Sequence, residues 1–370
     1  MEATQTTALS QTTKSTTAVS QSAESQSAES LTTTAGVNEA STQGAASTLD
    51  ARASSDRFAE SAGQAEREQP VPSCGTFAQE LIQRQIRRLG KLQAEVIADR
   101  DPEPLHQLRV SLRRLRTAVG QFAPALELPD GVSERRLAAV ARRTSLCRDL
   151  DVLQQRLREQ LLPQLPEPEQ RGLEAAMRRL RKDRQQAFES MVEALRGGRY
   201  LKLLARLHKW QRRPRFTPLG EQPLVAWLTD LQAPFSAGLF LHPGWRVDDP
   251  AAEALHGLRK RIKQARYSLE GLQPWCAPGV QSWIEELKQA QDQLGDLHDL
   301  QVLSLTLTGH ESLRKSADLP VLHAELAGRQ RLHWQRWREL AERLQDDAHR
   351  QAIQRQLADI SHRCRVDDAG

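Results

Sequence analysis

The chain has 370 residues, 39% hydrophobic and 4% aromatic, with 52 Lys and Arg against 47 Asp and Glu for a formal net charge of +5. That length fills one large helical domain or two small ones once a polar low-complexity segment is set aside, and so few aromatics exclude a base-stacking platform for single-stranded nucleic acid. Cys74, Cys147, Cys276 and Cys364 stand singly without a Cys-x-x-Cys pair, and the amino terminus lacks a basic start with an apolar core. With no apolar run read as approaching the ~18–20 residues of a membrane span, the expectation is a cytoplasmic protein with no membrane partner.

Residues 1–70 are dominated by Ser, Thr, Ala, Gln and Glu and bury too little apolar surface to offset ordering entropy, so they are expected to form a disordered tail. They hold 4 basic and 9 acidic residues, which leaves 48 basic and 38 acidic in 71–370. The folded part is therefore the basic part, and a polyanion is the expected partner.

A first helix is expected from Gly75, where Phe77, Leu81, Ile82, Ile86, Leu89 and Val96 recur at helical spacing. Pro104 then starts a second, and helices follow near 104–122, 133–147, 149–162, 167–196 and 199–210. Pro214, Pro218, Pro223, Pro234 and Pro243 mark a connection over about 211–250, with a short helix near Leu224–Leu231. The last set is expected near 251–272, 279–297, 299–308, 319–345 and 347–363. No alternating strand pattern competes, so the fold class is all-α.

Within this order one pattern occurs twice. His106, Arg109, Arg113 and Arg116 have the same spacing as His256, Arg259, Lys263 and Arg266, at an offset of 150 residues. The apolar frame follows: Leu105, Leu108, Leu112, Leu115 and Val119 match Leu255, Leu258, Ile262, Ala265 and Leu269. Arg148, Asp149 and Leu150 fall at that offset from His298, Asp299 and Leu300. Two helical halves related by duplication are expected.

On a helix the four polar positions fall within roughly 80° of one another over about 15 Å of axis, bordering the apolar band. Neither stretch contains an acid within 105–119 or 255–269, so i,i+4 salt bridging does not explain the cations. Cations along the edge of a core repel one another and lose hydration, a cost that an anion offsets. Arginine suits phosphate through planar paired donors, and histidine donates a neutral hydrogen bond or gains charge beside an anion.

LHQLRVSLRRLR followed by LCRDLDVL, and LHGLRKRIKQARYSLEGL followed by LGDLHDLQVL, resemble the CHAD domain, the conserved histidine α-helical domain. The resemblance covers roughly residues 75–365, with a first half at about 75–210 and a second at about 251–365. It implies two four-helix-bundle halves related by a pseudo-twofold axis around a basic groove or pore that binds inorganic polyphosphate, on a binding module and not an enzyme. The site residues it implies are His106, Arg109, Arg113 and Arg116 with His256, Arg259, Lys263 and Arg266, and Arg114 and Lys260 on the edges of the stripes. It also implies association with polyphosphate granules and their proteins. Two departures concern a helix ending: Thr144 and Ser145 stand where the second half has Leu294 and Gly295, and Arg148 where it has His298. Some relatives carry a CYTH domain with a Glu-x-Glu-x-Lys strand motif; none is read here, so a stand-alone CHAD protein is expected.

Other chemistry carries less. Asp149 and Asp299 are read as helix N-caps, the alternative being carboxylates that orient a stripe cation. The paired histidines are surrounded by Arg and Lys, so neither a metal nor another cofactor is expected. Nucleic acid remains a rival polyanion for the same cations, and a tripolyphosphate or polyphosphate hydrolase is the remaining alternative. Arg178, Arg181, Arg184, Arg329, Arg331 and Arg336 stay outside the principal site set.

Overall fold

The computed structural model describes residues 71–309 and 319–359; the expected tail at 1–70 lies outside them, as do residues 360–363 of the expected last helix. Among the described residues the chain forms eleven α-helices and no strand. They are α1 Cys74–Ala98, α2 Glu103–Gln121, α3 Glu134–Arg143, α4 Ser145–Arg156, α5 Glu167–Arg196, α6 Gly198–Arg212, α7 Leu224–Phe240, α8 Glu253–Leu272, α9 Val280–Gly309, α10 Pro320–Gln345 and α11 Asp347–Ala358.

Local chemistry sets several ends. Ser73 caps α1 by accepting from the Thr76 amide at 3.2 Å, and Ser133 caps α3 through the Arg136 amide at 3.3 Å, each satisfying a first-turn N–H. Helix α1 ends on Asp99 in the left-handed region (φ 50), where Arg184 of α5 holds its carboxylate.

Two hydrophobic clusters form the core. The first joins α1 to α6 with Leu224, Leu228 and Leu231 of α7; the second centres on Leu255, Leu258, Ile262 and Leu269 of α8 with Trp283, Leu287 and Trp337. The first cluster also takes Leu300, Leu303 and Leu307 from α9 and Leu322 and Leu326 from α10, so the α9–α10 pair runs through both cores. Glu169 of α5 reinforces this junction by accepting from the Val321 and Leu322 amides, both at 2.9 Å, at the start of α10.

Three sequence expectations change. The helices expected at 279–297 and 299–308 are one helix, α9. Asp149 and Asp299 therefore do not cap helix starts: each lies inside a helix, and the break comes earlier in the first half. At Thr144 the hydroxyl donates to the Ala141 carbonyl at 2.8 Å and the Ser145 hydroxyl donates to the same oxygen at 3.3 Å, competing with the backbone ladder; Leu294 and Gly295 have no such hydroxyl. Second, the helix expected to stop near Leu231 continues through Pro234 to Phe240. Third, that continuation makes Leu224–Arg246, whose most apolar 18-residue window has a mean hydropathy of 1.3, long and apolar enough to cross a membrane by length and composition, which breaking the segment at its prolines had hidden. Its Leu224, Leu228, Leu231 and Leu239 are buried in the two cores, while Trp227 and Leu241 are exposed.

Candidate anion site between the two histidine helices

Helices α2 and α8, which carry the two repeats, pack against each other. The apolar frame does what its spacing requires: Leu105, Leu108, Leu112, Leu115 and Val119 are buried, as are Leu255, Leu258, Ile262, Ala265 and Leu269. The cations beside that frame are drawn in with it, Arg109 to 4% and Arg259 to 2% exposure, with Lys263 and Arg266 also buried.

Between α2, α3 and α8 lies a cleft of about 320 Å³. Helix α2 lines it with Arg109, Arg113, Arg116 and Thr117, helix α8 with Arg259, Lys260, Lys263, Gln264 and Tyr267, and helix α3 with Glu134, Ala138, Ala141 and Arg142. Six of the ten sequence-derived residues are thus brought to one cavity from both repeats. Four are not part of its lining. Arg114 and Arg266 converge instead on Glu270, at 3.0 Å and 2.7 Å, and both guanidinium groups lie against the Tyr267 ring. Glu270 therefore ties α2 to α8 beside the cleft.

His106 and His256, the other two, lie at the leading ends of the stripes, half-buried. Burial first, and then Arg148, Arg113, Arg109 and Arg88, push the His106 imidazole down to about 3. For His256 burial leads, followed by Arg259, Lys260 and Lys263, with the same outcome of about 3. Both rings are neutral at pH 7, so they act as neutral hydrogen-bonding groups there and not as cations.

The Arg-Asp and His-Asp motifs sit behind the stripes. Arg148 acts on His106 through its charge, while the His298 ring lies 5.2 Å from that of His256. Arg109 donates to Ser145 Oγ at 2.9 Å and Thr144 Oγ1 at 3.3 Å, so the hydroxyls that break the helix also hold a stripe guanidinium. Asp299 accepts from Arg156 at 3.2 Å, and burial pushes its carboxyl up to about 7 against the pull of Arg156, Arg259 and Lys263. Burial wins because an ion taken out of water loses more than one partner at the edge of hydrogen-bonding distance returns. Asp299 is thus a buried carboxyl within α9 near Arg156, Arg259 and Lys263, and not a helix cap.

Helix α3 was expected as a helix, but its part in the cleft is what sequence reasoning missed. Arg142 lines the cleft and has no ion-pair partner among the described residues. The repeat offset hides it, since Asp292 stands 150 residues on; the basic end of the ERRLAAVARR segment was the available signal. Arg184, by contrast, is engaged by Asp99 and Asp151 and does not line the cleft.

An all-helical domain that packs two histidine-led basic helices against each other defines a class, and the comparisons give it a family. The CHAD domain family model matches residues 80–308. The chain belongs to the CHAD domain family. Two solved structures share the fold: the CHAD domain from the plant Ricinus communis, at 22% identity and TM-score 0.54 over 80% of this chain and 95% of that one, and PptA from Streptomyces chartreusis, at 15% identity and TM-score 0.55 over 73% and 99%. No curated protein is significantly similar in sequence.

Proposed function

We propose that the cleft binds inorganic polyphosphate, with the two repeats acting as pseudo-symmetric halves of one basic groove, and that binding directs the protein to polyphosphate granules. The observation that carries this reading is the lining itself: seven Arg and Lys side chains from three helices face one cavity with Glu134 as the one carboxylate among them. Arginines along a helix edge present successive charge-assisted donors, which suits a linear chain of phosphates. The half-buried histidines add neutral donors at the leading end of each stripe. The reading is of a binder without a catalytic step, in a cytoplasmic setting.

The test removes charge where the fold tolerates it. Arg113 is partly exposed and Lys260 and Arg142 are exposed, whereas Arg109, Arg259 and Lys263 are buried, and their loss confounds binding with stability. The triple variant Arg113→Gln, Arg142→Gln, Lys260→Gln is expected to keep its helicity by circular dichroism and to lose roughly a hundredfold or more in affinity for long-chain polyphosphate. Its dependence of log K on log salt is expected to be shallower by about two. Unchanged binding overturns the assignment, and phosphate release by the wild type in magnesium or manganese replaces it with a hydrolase.

A further inference from the structure

The cleft carries its own anion. Glu134 opens α3, and its Oε1 accepts a hydrogen bond from Arg116 Nε at 3.1 Å, with both side chains 41% exposed. Its carboxylate reaches Arg116 across a bare patch of α2, because a Cβ added at Gly120 comes within 3.0 Å of Glu134 Oε2. Glycine near the end of a helix costs helix stability relative to alanine, and at this position its missing side chain leaves the space that the carboxylate fills.

We infer that Glu134 is a built-in competitor for the ligand: its carboxylate holds Arg116 at the cleft, and a phosphate chain engages that arginine only by displacing it. The inference rests on the proposed function and adds a selectivity-determining residue to it. A half-exposed pair joined by one hydrogen bond is weak, so a chain that contacts several cleft cations at once displaces the carboxylate. An isolated anion that meets Arg116 alone gains little over the partner already present, and it also meets the negative charge of Glu134. A repulsive group inside an attractive site is how discrimination against weak ligands is built. The repeat contributes one such group and not two, since Ile284 stands 150 residues beyond Glu134.

The experiment titrates long-chain polyphosphate and tripolyphosphate into the full chain and three variants. Glu134→Gln is expected to bind tripolyphosphate roughly three- to tenfold more tightly and long-chain polyphosphate more tightly by a smaller factor, so that the preference for the long chain narrows. Gly120→Ala keeps every charge and crowds the carboxylate off its seat, so it is expected to shift affinity in the same direction by less. Glu127→Gln removes a carboxylate that pairs with Arg215 away from the cleft and is expected to change nothing. Unchanged or weaker binding in Glu134→Gln overturns the inference, as does an equal gain in Glu127→Gln, which makes the effect one of net charge. A wild type that binds with Glu134→Gln equal to it removes the inference alone; failure of both proteins to bind polyphosphate removes the proposed function with it.

Discussion

At the scale of single residues, the position of a charge relative to the core decides what it does. The sequence spacing places four polar groups per helix on one edge with Arg114 and Lys260 beside them, yet the structure separates these groups: Arg113, Arg116 and Lys260 remain accessible, Arg109 and Arg259 are buried, and Arg114 and Arg266 are held by Glu270. Periodicity gives a direction around a helix and says nothing of which carboxylate arrives from elsewhere, so Glu134, Glu270 and Arg142 were out of its reach. The pH behaviour follows from the same burial. With both stripe histidines down at about 3, neither changes charge between pH 6 and 8. Asp299, raised to about 7, does. It faces Arg156 of α4 and Arg259 and Lys263 of α8, with Asp296 on its own helix. As pH falls through 7 it takes up a proton, its negative charge beside two cleft cations is lost, and anion binding strengthens. Affinity measured for a phosphate chain is expected to rise roughly two- to tenfold from pH 8 to pH 6. Asp299→Asn is expected to bind across that range as the wild type does at its acidic end; a pH slope that survives in this variant contradicts the assignment.

At the scale of elements, helix positions were legible wherever apolar spacing and a cap or proline agreed, as at Ser73 for α1 and Ser133 for α3. Junctions were not legible. Asp149 and Asp299 both sit inside a helix; what differs is the break before Ser145, where hydroxyls hold a guanidinium in the first half and have no counterpart in the second, so that α9 runs unbroken. The start of α10 depends in the same way on a distant partner. Leu319 offers no side-chain cap, and the Glu169 carboxylate from α5 takes two of the first-turn amides instead. An anion buried at a helix N-terminus is favourable, and removing it leaves donors unsatisfied. Glu169→Ala is expected to cost about 2 kcal/mol of stability in urea unfolding, without loss of phosphate-chain affinity in the folded protein. A loss below about 0.5 kcal/mol contradicts this role for the carboxylate.

At the scale of the whole molecule, the duplicated sequence pattern brings its two copies to one cavity, and the rest of the chain organises the packing behind them. Helix α7 places leucines in both cores, and α9 and α10 run through both. The basic helices are thereby held against each other by packing, and donors held in this way would lose little freedom on binding the proposed ligand. The class of fold and six cleft residues were readable from the amino acids because the repeat fixed two faces at once. The third wall, α3, was hidden because its cleft residues do not repeat. Net charge alone attracts any polyanion, so the central claim stands on discrimination. The most direct measurement is titration of the full chain with long-chain polyphosphate at about 150 mM salt, with duplex and single-stranded nucleic acid as competitors at matched phosphate concentration. Tight binding that the nucleic acids fail to displace is the result expected of a cleft built for a bare phosphate chain; displacement by either at comparable concentration contradicts it and makes the protein a general binder of polyanions.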